Sequence, residues 1–317
     1  MMTAGEVIMA CLLDTALGDP RWLPHPVRFM GSVIAWCDDR IRPLLHRPAG
    51  QQAAGVLLAL GLPALVYAIG WGAIESAGRL HWVLGRGVEV VLAFTTLAAR
   101  DLIDHARSVL RALEAGSLEG AREAVSKIVG RDVSELSEQE VVRATVETIA
   151  ESTSDGVIAP LFYMAIGGAP LALAYKAVNT LDSMVGHRDE RHRYFGWASA
   201  RLDDAANLVP ARLAALLFVP AGWLLSRRVS TAGRAWSVLL RDGRKHPSPN
   251  SGRPEAAMAG ALGVQLGGTN FYGGVSEERA KLGDPGPVLV ASHIRSALRL
   301  MVTASLFAAG FAAWFLL

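Results

Sequence analysis

The sequence predicts an all-α, polytopic membrane protein with cytoplasmic helical and loop segments between its spans. Half of the residues (51%) are hydrophobic and the mean hydropathy is +0.30. Charged residues make up only 19%, below the roughly one quarter usual in soluble domains. Several long runs carry no charged side chain at all, and a run of about 20 apolar residues spans a hydrocarbon core.

In chain order, residues 1–17 are the weakest candidate span, because Glu6 and Asp14 flank a short apolar core. No positive region precedes that core, so it is not expected to be a cleaved signal. Residues 18–31 hold three prolines, which predicts extended chain rather than helix. No charge occurs between Arg47 and Glu75. Residues 82–99 form a weaker run carrying Arg86 and Glu89, so 48–99 reads as two spans joined by a turn near 75–81. Residues 100–155 read as amphipathic helices, with Leu102, Ala106, Val109, Leu110 and Leu113 at helical spacing. Apolar runs return at 156–175, at 205–226, where only Arg212 interrupts, and after Arg299. No stretch alternates with period two for long enough to suggest a sheet, and no fixed-period repeat is present.

Each polar stretch (19–47, 100–155, 182–204 and 227–297) carries Arg or Lys, so the positive-inside rule places all four in the cytoplasm. For 156–181 this requires a broken or re-entrant helix, and Gly167, Gly168 and Pro170 stand where a helix would break. Pro210 and Pro220 offer the same in 205–226. The expected organisation is one helical membrane domain over 1–317, with a cytoplasmic helical insertion at 100–155 and a cytoplasmic loop region at 227–297. Cys11 and Cys37 are too few for a disulfide framework or a Cys-type zinc site. The net charge of +2 and the lack of a Lys/Arg-rich block give no expectation of a nucleic-acid partner.

Glu147, Glu151 and Asp155 lie at i, i+4 and i+8, on one face of a helix that runs into an apolar segment. Like charges so placed repel unless a cation sits among them, and oxygen ligands suit Mg²⁺. A solvated acidic face is the plainer alternative, although carboxylates at a membrane boundary are functional by default. Asn179 and Asp182 follow an apolar helix and suit either a magnesium or phosphate role or a helix cap. Asp203 and Asp204 are adjacent, so they point in different directions and at most one is expected to bind a metal. Arg212 needs a partner inside its apolar run, and Asp204 stands at i−8.

Residues 241–255 (RDGRKHPSPNSGRPE) place basic residues before a Pro/Ser/Asn loop and a helix start near Pro254. Arg241, Lys245, His246, Ser248, Asn250 and Ser251 there suit a phosphate, without a Walker A pattern. In 18–31, Arg21, His25 and Arg28 suit an anionic substrate, with a rigid surface loop as the alternative. His187 and His192 lie five apart, not at ligand spacing, and are expected in a charged loop. No Ser-His-Asp order, CxxC, HExxH or GxGxxG pattern occurs.

Five stretches resemble the CobD/CbiB family, the adenosylcobinamide-phosphate synthases. They are LDTALGDPRWLPHPVRFMG (13–31), IVGRDVSELSEQEVVRATVETIAESTSDGVIAPLFY (128–163), AYKAVNTLDSMVG (174–186), RYFGWASARLDDAANLVPAR (193–212) and RKHPSPNSGRPEAAMAGALGVQLGG (244–268). The resemblance implies condensation of a corrin propionate, that of adenosylcobyric acid, with an aminopropanol or its phosphate, driven by ATP and Mg²⁺. On that reading Glu147, Glu151 and Asp155 hold Mg²⁺, with Asp182, Asp203, Asp204 and Lys245 near the chemistry. Arg241, Lys245, His246, Ser248, Asn250 and Ser251 meet the nucleotide phosphates. Asp14, Asp19, Arg21, His25, Arg28 and Asn179 meet the corrinoid and aminoalcohol phosphate substrates. Arg253 and His187 stand where the family commonly has aromatic residues, which puts a ring contact at those positions in doubt. The resemblance also implies a bacterial inner-membrane enzyme, surrounded by lipid, with its active site facing the cytoplasm and other cobalamin-pathway membrane enzymes as partners. A non-catalytic membrane regulator or transporter of the AmpE-like type is the alternative, in which the same carboxylates would be structural.

Overall fold

The computed structural model describes residues 2–19, 25–187 and 189–317, so the substrate expectation for Arg21 lies outside the described residues. Among the described residues, five helical stretches are long and apolar enough to cross a membrane: Pro48–Leu80, Trp82–Glu114, Glu138–Val185, Leu208–Ser226 and Ala291–Phe315. The protein is a helical polytopic membrane protein, as its apolar runs predict. The chain forms two compact units, one of residues 1–98, 159–207 and 309–317, the other of residues 99–158 and 208–308.

In the first unit, α1 (Ala4–Leu17) starts from a capping box between Thr3 and Glu6. α2 (Pro26–Trp36) begins with Pro26 in its first turn, where the missing N–H leaves no helical bond unmade. The expectation of extended chain through 31 is therefore corrected from Pro26 onward. α3 (Pro48–Leu80) and α4 (Trp82–Phe94) form the expected hairpin, broken at His81, whose backbone is extended. α8 (Ala159–Val185) packs on α3, where Gly70 admits Leu173 and Pro170. A Cβ on Gly55 would fall 2.0 Å from the carbonyl oxygen of Phe195, so only glycine allows that approach. α8 breaks where expected, with Gly167 at φ −142° and Gly168 at φ 69°. Met30, Ile34, Leu62, Leu173, Leu181 and Phe195 form the buried core that α2, α3 and α8 share. α9 (Trp197–Ala206) follows. His192, expected in a charged loop, is buried beside Asp38 and Asp189.

In the second unit, α5 (Ala99–Glu114) buries Leu102, Ala106, Val109 and Leu110, the stripe its spacing predicts. α6 (Leu118–Val125) packs beside it. α7 (Glu138–Thr153) opens with a Ser137–Glu140 capping box and passes into a π-helical turn, Ser154–Ile158. α10 (Leu208–Ser226), α11 (Val229–Asp242) and α12 (Gly252–Leu262) pack against one another. A Cβ on Gly260 would lie 2.7 Å from the Ala235 Cα, so glycine permits the close approach of α11 and α12.

Contrary to the expectation of no sheet, β1 (Leu266–Tyr272) and β2 (Val275–Leu282) form an antiparallel hairpin. Its turn residues Gly273 and Gly274 both have positive φ, 57° and 79°, as a two-residue turn matched to the strand twist requires. The inward positions of β1 are Leu266, Gly268 and Asn270. With a glycine and an asparagine on that face, no alternation of hydrophobicity marks the strand. α13 (Ala291–Phe315) closes the chain.

Candidate functional site

Glu147, on α7, is 8% exposed. Its carboxylate accepts from Arg131 Nη2 at 2.6 Å, Arg143 Nη1 at 3.3 Å and the Gly267 N–H at 2.8 Å. The two arginines also bind β1. Arg131 donates to Asn270 Oδ1 at 2.6 Å, and Arg143 donates to the Gly267 and Thr269 carbonyls, each at 2.9 Å. The expected face of three metal-binding carboxylates is corrected here, because two buried guanidiniums already neutralise Glu147. Among the described residues no three His, Cys, Asp or Glu side chains converge as a metal site. Asp155 is half-buried in the π-helical turn.

One turn beyond Glu147, exposed Glu151 accepts from Ser251 Oγ at 2.7 Å. This joins it to the loop before α12, where Ser248 Oγ accepts the N–H groups of Asn250 and Ser251 at 3.2 and 3.3 Å. His246 Nδ1 accepts the Ser248 N–H at 3.0 Å, and its Nε2 lies 3.2 Å from Arg279 Nη1. A neutral imidazole has one acceptor nitrogen, so the ring satisfies one of these two donors at a time. Burial, then the Arg279 charge, pushes the His246 pKa down. Gly252 keeps the loop closed, since a Cβ there would sit 2.3 Å from the His246 Cβ. Behind the loop lies Glu255, fully buried on α12 and missed as a site residue from sequence. Burial first, then Glu147 and Glu151, raises its pKa well above the usual carboxylate range.

The basic cradle expected from Arg241 and Lys245 is also corrected. Both close on buried Asp242: Arg241 Nε at 2.9 Å, Arg241 Nη2 at 2.7 Å and Lys245 Nζ at 2.7 Å. The Gly283 N–H adds a fourth bond at 2.8 Å, and Arg241 also reaches Asp284 at 2.6 Å. The Arg241 bonds hold the Asp242 carboxyl far below its ordinary range. A different set of cations carries uncompensated charge. Burial, then Arg212 and Arg244, lowers the Arg253 pKa, and Arg253 Nε is buried with no hydrogen-bond partner. Arg212 donates to the Leu208 carbonyl. Among the described residues no carboxylate is paired with Arg212, Arg244 or Arg253. Arg253 stands in the first turn of α12, where its N–H donates to the Asn250 carbonyl at 3.1 Å and the Glu255 N–H to the Ser251 carbonyl at 3.3 Å, and the positive end of the helix dipole adds to the field there.

In the first unit the structure brings together Asn179, Asp182, Asp203 and Asn207. Asn207 Nδ2 donates to Asp203 Oδ2 at 3.0 Å, and Tyr175 donates to Asn207 Oδ1 at 2.9 Å. Asp203 Oδ1 is buried with no hydrogen-bond partner. Burial, then the neighbouring Asp182, pushes the Asp203 pKa up to about 7 against the hydrogen bonds of Asn207 and Asn179. Asp204 instead faces Arg201 at 3.8 Å. At the amino-terminal end, Asp19 binds Arg28 at 3.0 Å and lies 3.6 Å from His25. Asp14 is buried on α1.

The model of the CobD/Cbib protein family matches residues 7–301. The chain belongs to the CobD/CbiB family. It is 52% identical over 303 residues to the cobalamin biosynthesis protein CobD of Geobacter metallireducens, covering 95% of this chain and 93% of that one. The CobD of Pelobacter propionicus is 46% identical (94% and 90% covered), and that of Citrobacter koseri 45% identical (96% and 94%). No solved structure matches. In this CobD/CbiB chain the residues missed from sequence are Arg131, Asn270, Arg279, Asp242, Glu255 and the arginines 212, 244 and 253 as a set. Glu255 had one signal: it is the last charge before an uncharged run reaching residue 276. Asp242 pairs with its near neighbours Arg241 and Lys245, so only its burial was hidden; the others depend on pairings between residues further apart in the chain.

Proposed function

We propose that this protein is an ATP- and Mg²⁺-dependent amide ligase of cobalamin biosynthesis, joining aminopropanol or its phosphate to the propionate carboxylate of adenosylcobyric acid. The arginines 212, 244 and 253 at the start of α12 carry the reading. They are like charges close enough to lower the Arg253 pKa, with Arg212 and Arg253 half-buried, Arg244 exposed and no carboxylate among them, and such a set calls for an anion with several negative oxygens. The nucleotide phosphates are that anion. His246, Ser248 and Ser251 line the adjoining loop, and Asn250 is buried within it. Arg241 and Lys245 act through Asp242, fixing the loop.

The oxygen-only donors Glu151, Ser251 and Glu255 fit Mg²⁺ bound together with phosphate oxygens. The fit rests on Glu255, a buried acid beside two others, where a divalent cation would offset the repulsion. When bound, Mg²⁺ neutralises charge on the phosphoryl oxygens. A propionate oxygen forms a bond to the γ-phosphorus as the bond to the β-bridging oxygen breaks, releasing ADP. The amine nitrogen then bonds to the carbonyl carbon, and the C–O bond breaks to release phosphate. The amine must lose a proton, and within the first unit the Asp203 carboxyl, with a pKa near neutrality, has the chemistry to pair with an ammonium and accept a proton. Asn179 and Asn207 hydrogen-bond that carboxylate, and the neighbouring Asp182 charge keeps its pKa up. Asp14, Asp19, His25 and Arg28 are assigned to substrate contacts.

The basic polar stretches favour this chemistry on the cytoplasmic side; the family membership favours a bacterial inner-membrane location, where other membrane enzymes of the pathway exchange corrinoids with it. The test is turnover by the purified protein in lipid nanodiscs with ATP, Mg²⁺, adenosylcobyric acid and either amine. The expected result is ADP and phosphate released only when the acid and an amine are both present, with a product of amide mass. Formation of AMP, or ATP turnover indifferent to either substrate, overturns the reading.

A further inference from the structure

At the far end of the α3–α4 hairpin, a cavity of about 660 Å³ opens beside the break in α8. Its walls include Trp71, Glu75 and Arg79 of α3 and Trp82, Arg86 and Glu89 of α4. The hairpin is closed tightly there. A Cβ on Gly85 would lie 2.8 Å from the Gly78 Cα, so two glycines bring the helices together. None of these residues enters the ligase reading.

Three features define what fits. The first is paired charge. Glu75 and Arg79 meet at 3.2 Å with 47% and 76% of their side chains exposed, and such a pair is weak and readily exchanges partners. Arg86 bridges Glu89 at 3.4 Å and Glu6 at 3.2 Å. The second is a surplus of acceptors at the helix break. Pro170 has no N–H, so the Ile166 carbonyl lacks its helical donor. Glu89, 7% exposed, places Oε1 2.9 Å from the point a Gly168 Cβ would occupy. Carbonyl and carboxylate together ask for a donor carrying several N–H groups, because backbone acceptors at membrane depth must be satisfied. The third is the aromatic rim. Trp71 and Trp82 are 55% and 72% exposed on helices apolar enough to cross a bilayer, the position of tryptophans at a headgroup boundary.

We propose that this cavity binds the headgroup of a zwitterionic aminophospholipid. The primary ammonium faces Glu89 and the Ile166 carbonyl, the phosphate diester faces Arg79, and the acyl chains run along the exposed apolar surface of α3. A soluble amino-alcohol phosphate shares the ammonium and phosphate. The exposed Ile69 and Leu65 on α3, 57% and 54%, provide apolar surface that only the lipid would use.

The experiment is native mass spectrometry of the full chain released from nanodiscs containing phosphatidylglycerol with either phosphatidylethanolamine or phosphatidylcholine. The wild type should retain one phosphatidylethanolamine and not phosphatidylcholine, whose trimethylated nitrogen has no N–H. Retention should fall by about tenfold or more in Arg79→Glu and in Glu89→Gln, since each removes a charge-assisted bond. Arg79 is exposed enough that its variant tests the site even if Glu89→Gln fails to fold. Equal retention of both lipids, unchanged retention in Arg79→Glu, or displacement of the lipid by soluble phosphoethanolamine overturns the proposal.

Discussion

Glu147 and Arg131 form a buried ion pair, 2.6 Å from Oε2 to Nη2, that fixes the segment before α7 against α7 itself. Because Arg131 and Arg143 both also bond to β1 residues, the pair locks a two-stranded hairpin onto a helix. A carboxylate so engaged acts as a structural counter-ion. Glu147→Gln leaves two buried guanidiniums short of charge and should cost about 3–5 kcal/mol. The measurement is the unfolding midpoint of the detergent-extracted protein. If Glu147 were a metal ligand instead, the variant would keep its stability and lose Mg²⁺ dependence.

The arginines of this chain divide into paired and unpaired sets, and the two should behave differently. Arg253→Ala or Arg244→Ala should raise the KM for ATP by about tenfold or more, the size of a lost charge-assisted bond. Folding should be little affected, and Arg253→Ala relieves like-charge repulsion. Arg241→Ala frees Asp242 of its strongest partner, so it should lower thermal stability at unchanged KM. Steady-state kinetics paired with thermal melts separate the two outcomes. Equal effects on KM from Arg241 and Arg253 would dissolve the distinction.

Much of the first unit was legible in the sequence. The hairpin break falls at His81, at the end of the region where Glu75 and Arg79 interrupt the apolar run. The break in α8 falls at Gly167 and Gly168 because Pro170 cannot donate and Gly168 adopts φ 69°. Asn179, Asp182 and Asp203 stand out in the sequence as polar residues beside apolar helices, but their convergence from two separate helices does not. The β hairpin was hidden because Asn270 and Gly268 occupy the inward face, where a strand normally declares itself by apolar residues. The spacing of Glu147, Glu151 and Asp155 is legible in the sequence, but not that Glu147 is buried, Glu151 exposed and Asp155 half-buried in the π-helical turn that follows α7. Spacing gives the face of each carboxylate but not the arginines that meet it, which come from residues 131 and 143. Asp242 likewise sits between basic neighbours in the sequence, and only burial reveals that it organises them.

Asp203 predicts a pH dependence with a definite sign. Its folded pKa is raised to about 7 from an ordinary 3.8, so between these values the folded state binds more protons than the unfolded one. Stability therefore falls as pH rises from about 4 toward 7, and the penalty is fully present above pH 7. Asp203→Asn should remove that slope and make the protein more stable than the wild type at pH 8. The rate of amide formation should rise with pH to a plateau above about 7 in the wild type, while Asp203→Asn should lose activity. A pH–stability series of both proteins checks the first claim, and a pH–rate profile of the wild type the second. A wild-type stability that rises through this window would show that the carboxylate is ionised and compensated.

Gly168 carries a demanding backbone conformation at the break in α8. Its φ of 69° and ψ of −167° are accessible to glycine and strained for other residues, and an added Cβ would meet Glu89 Oε1 at 2.9 Å. Gly168→Ala should cost about 1–3 kcal/mol from backbone strain. Pro170→Ala works in the opposite sense: it restores an N–H to the Ile166 carbonyl and lets the helix continue. A continuous helix cannot keep both halves of α8 in their present packing, because Pro170 and Leu173 pack beside Gly70 of α3. Pro170→Ala should therefore lower stability even though it adds a hydrogen bond, and the Gly168→Ala, Pro170→Ala double variant should be less than additive. Melting curves for the three variants test this, and a stabilised Pro170→Ala would mean that the break is not held by its neighbours.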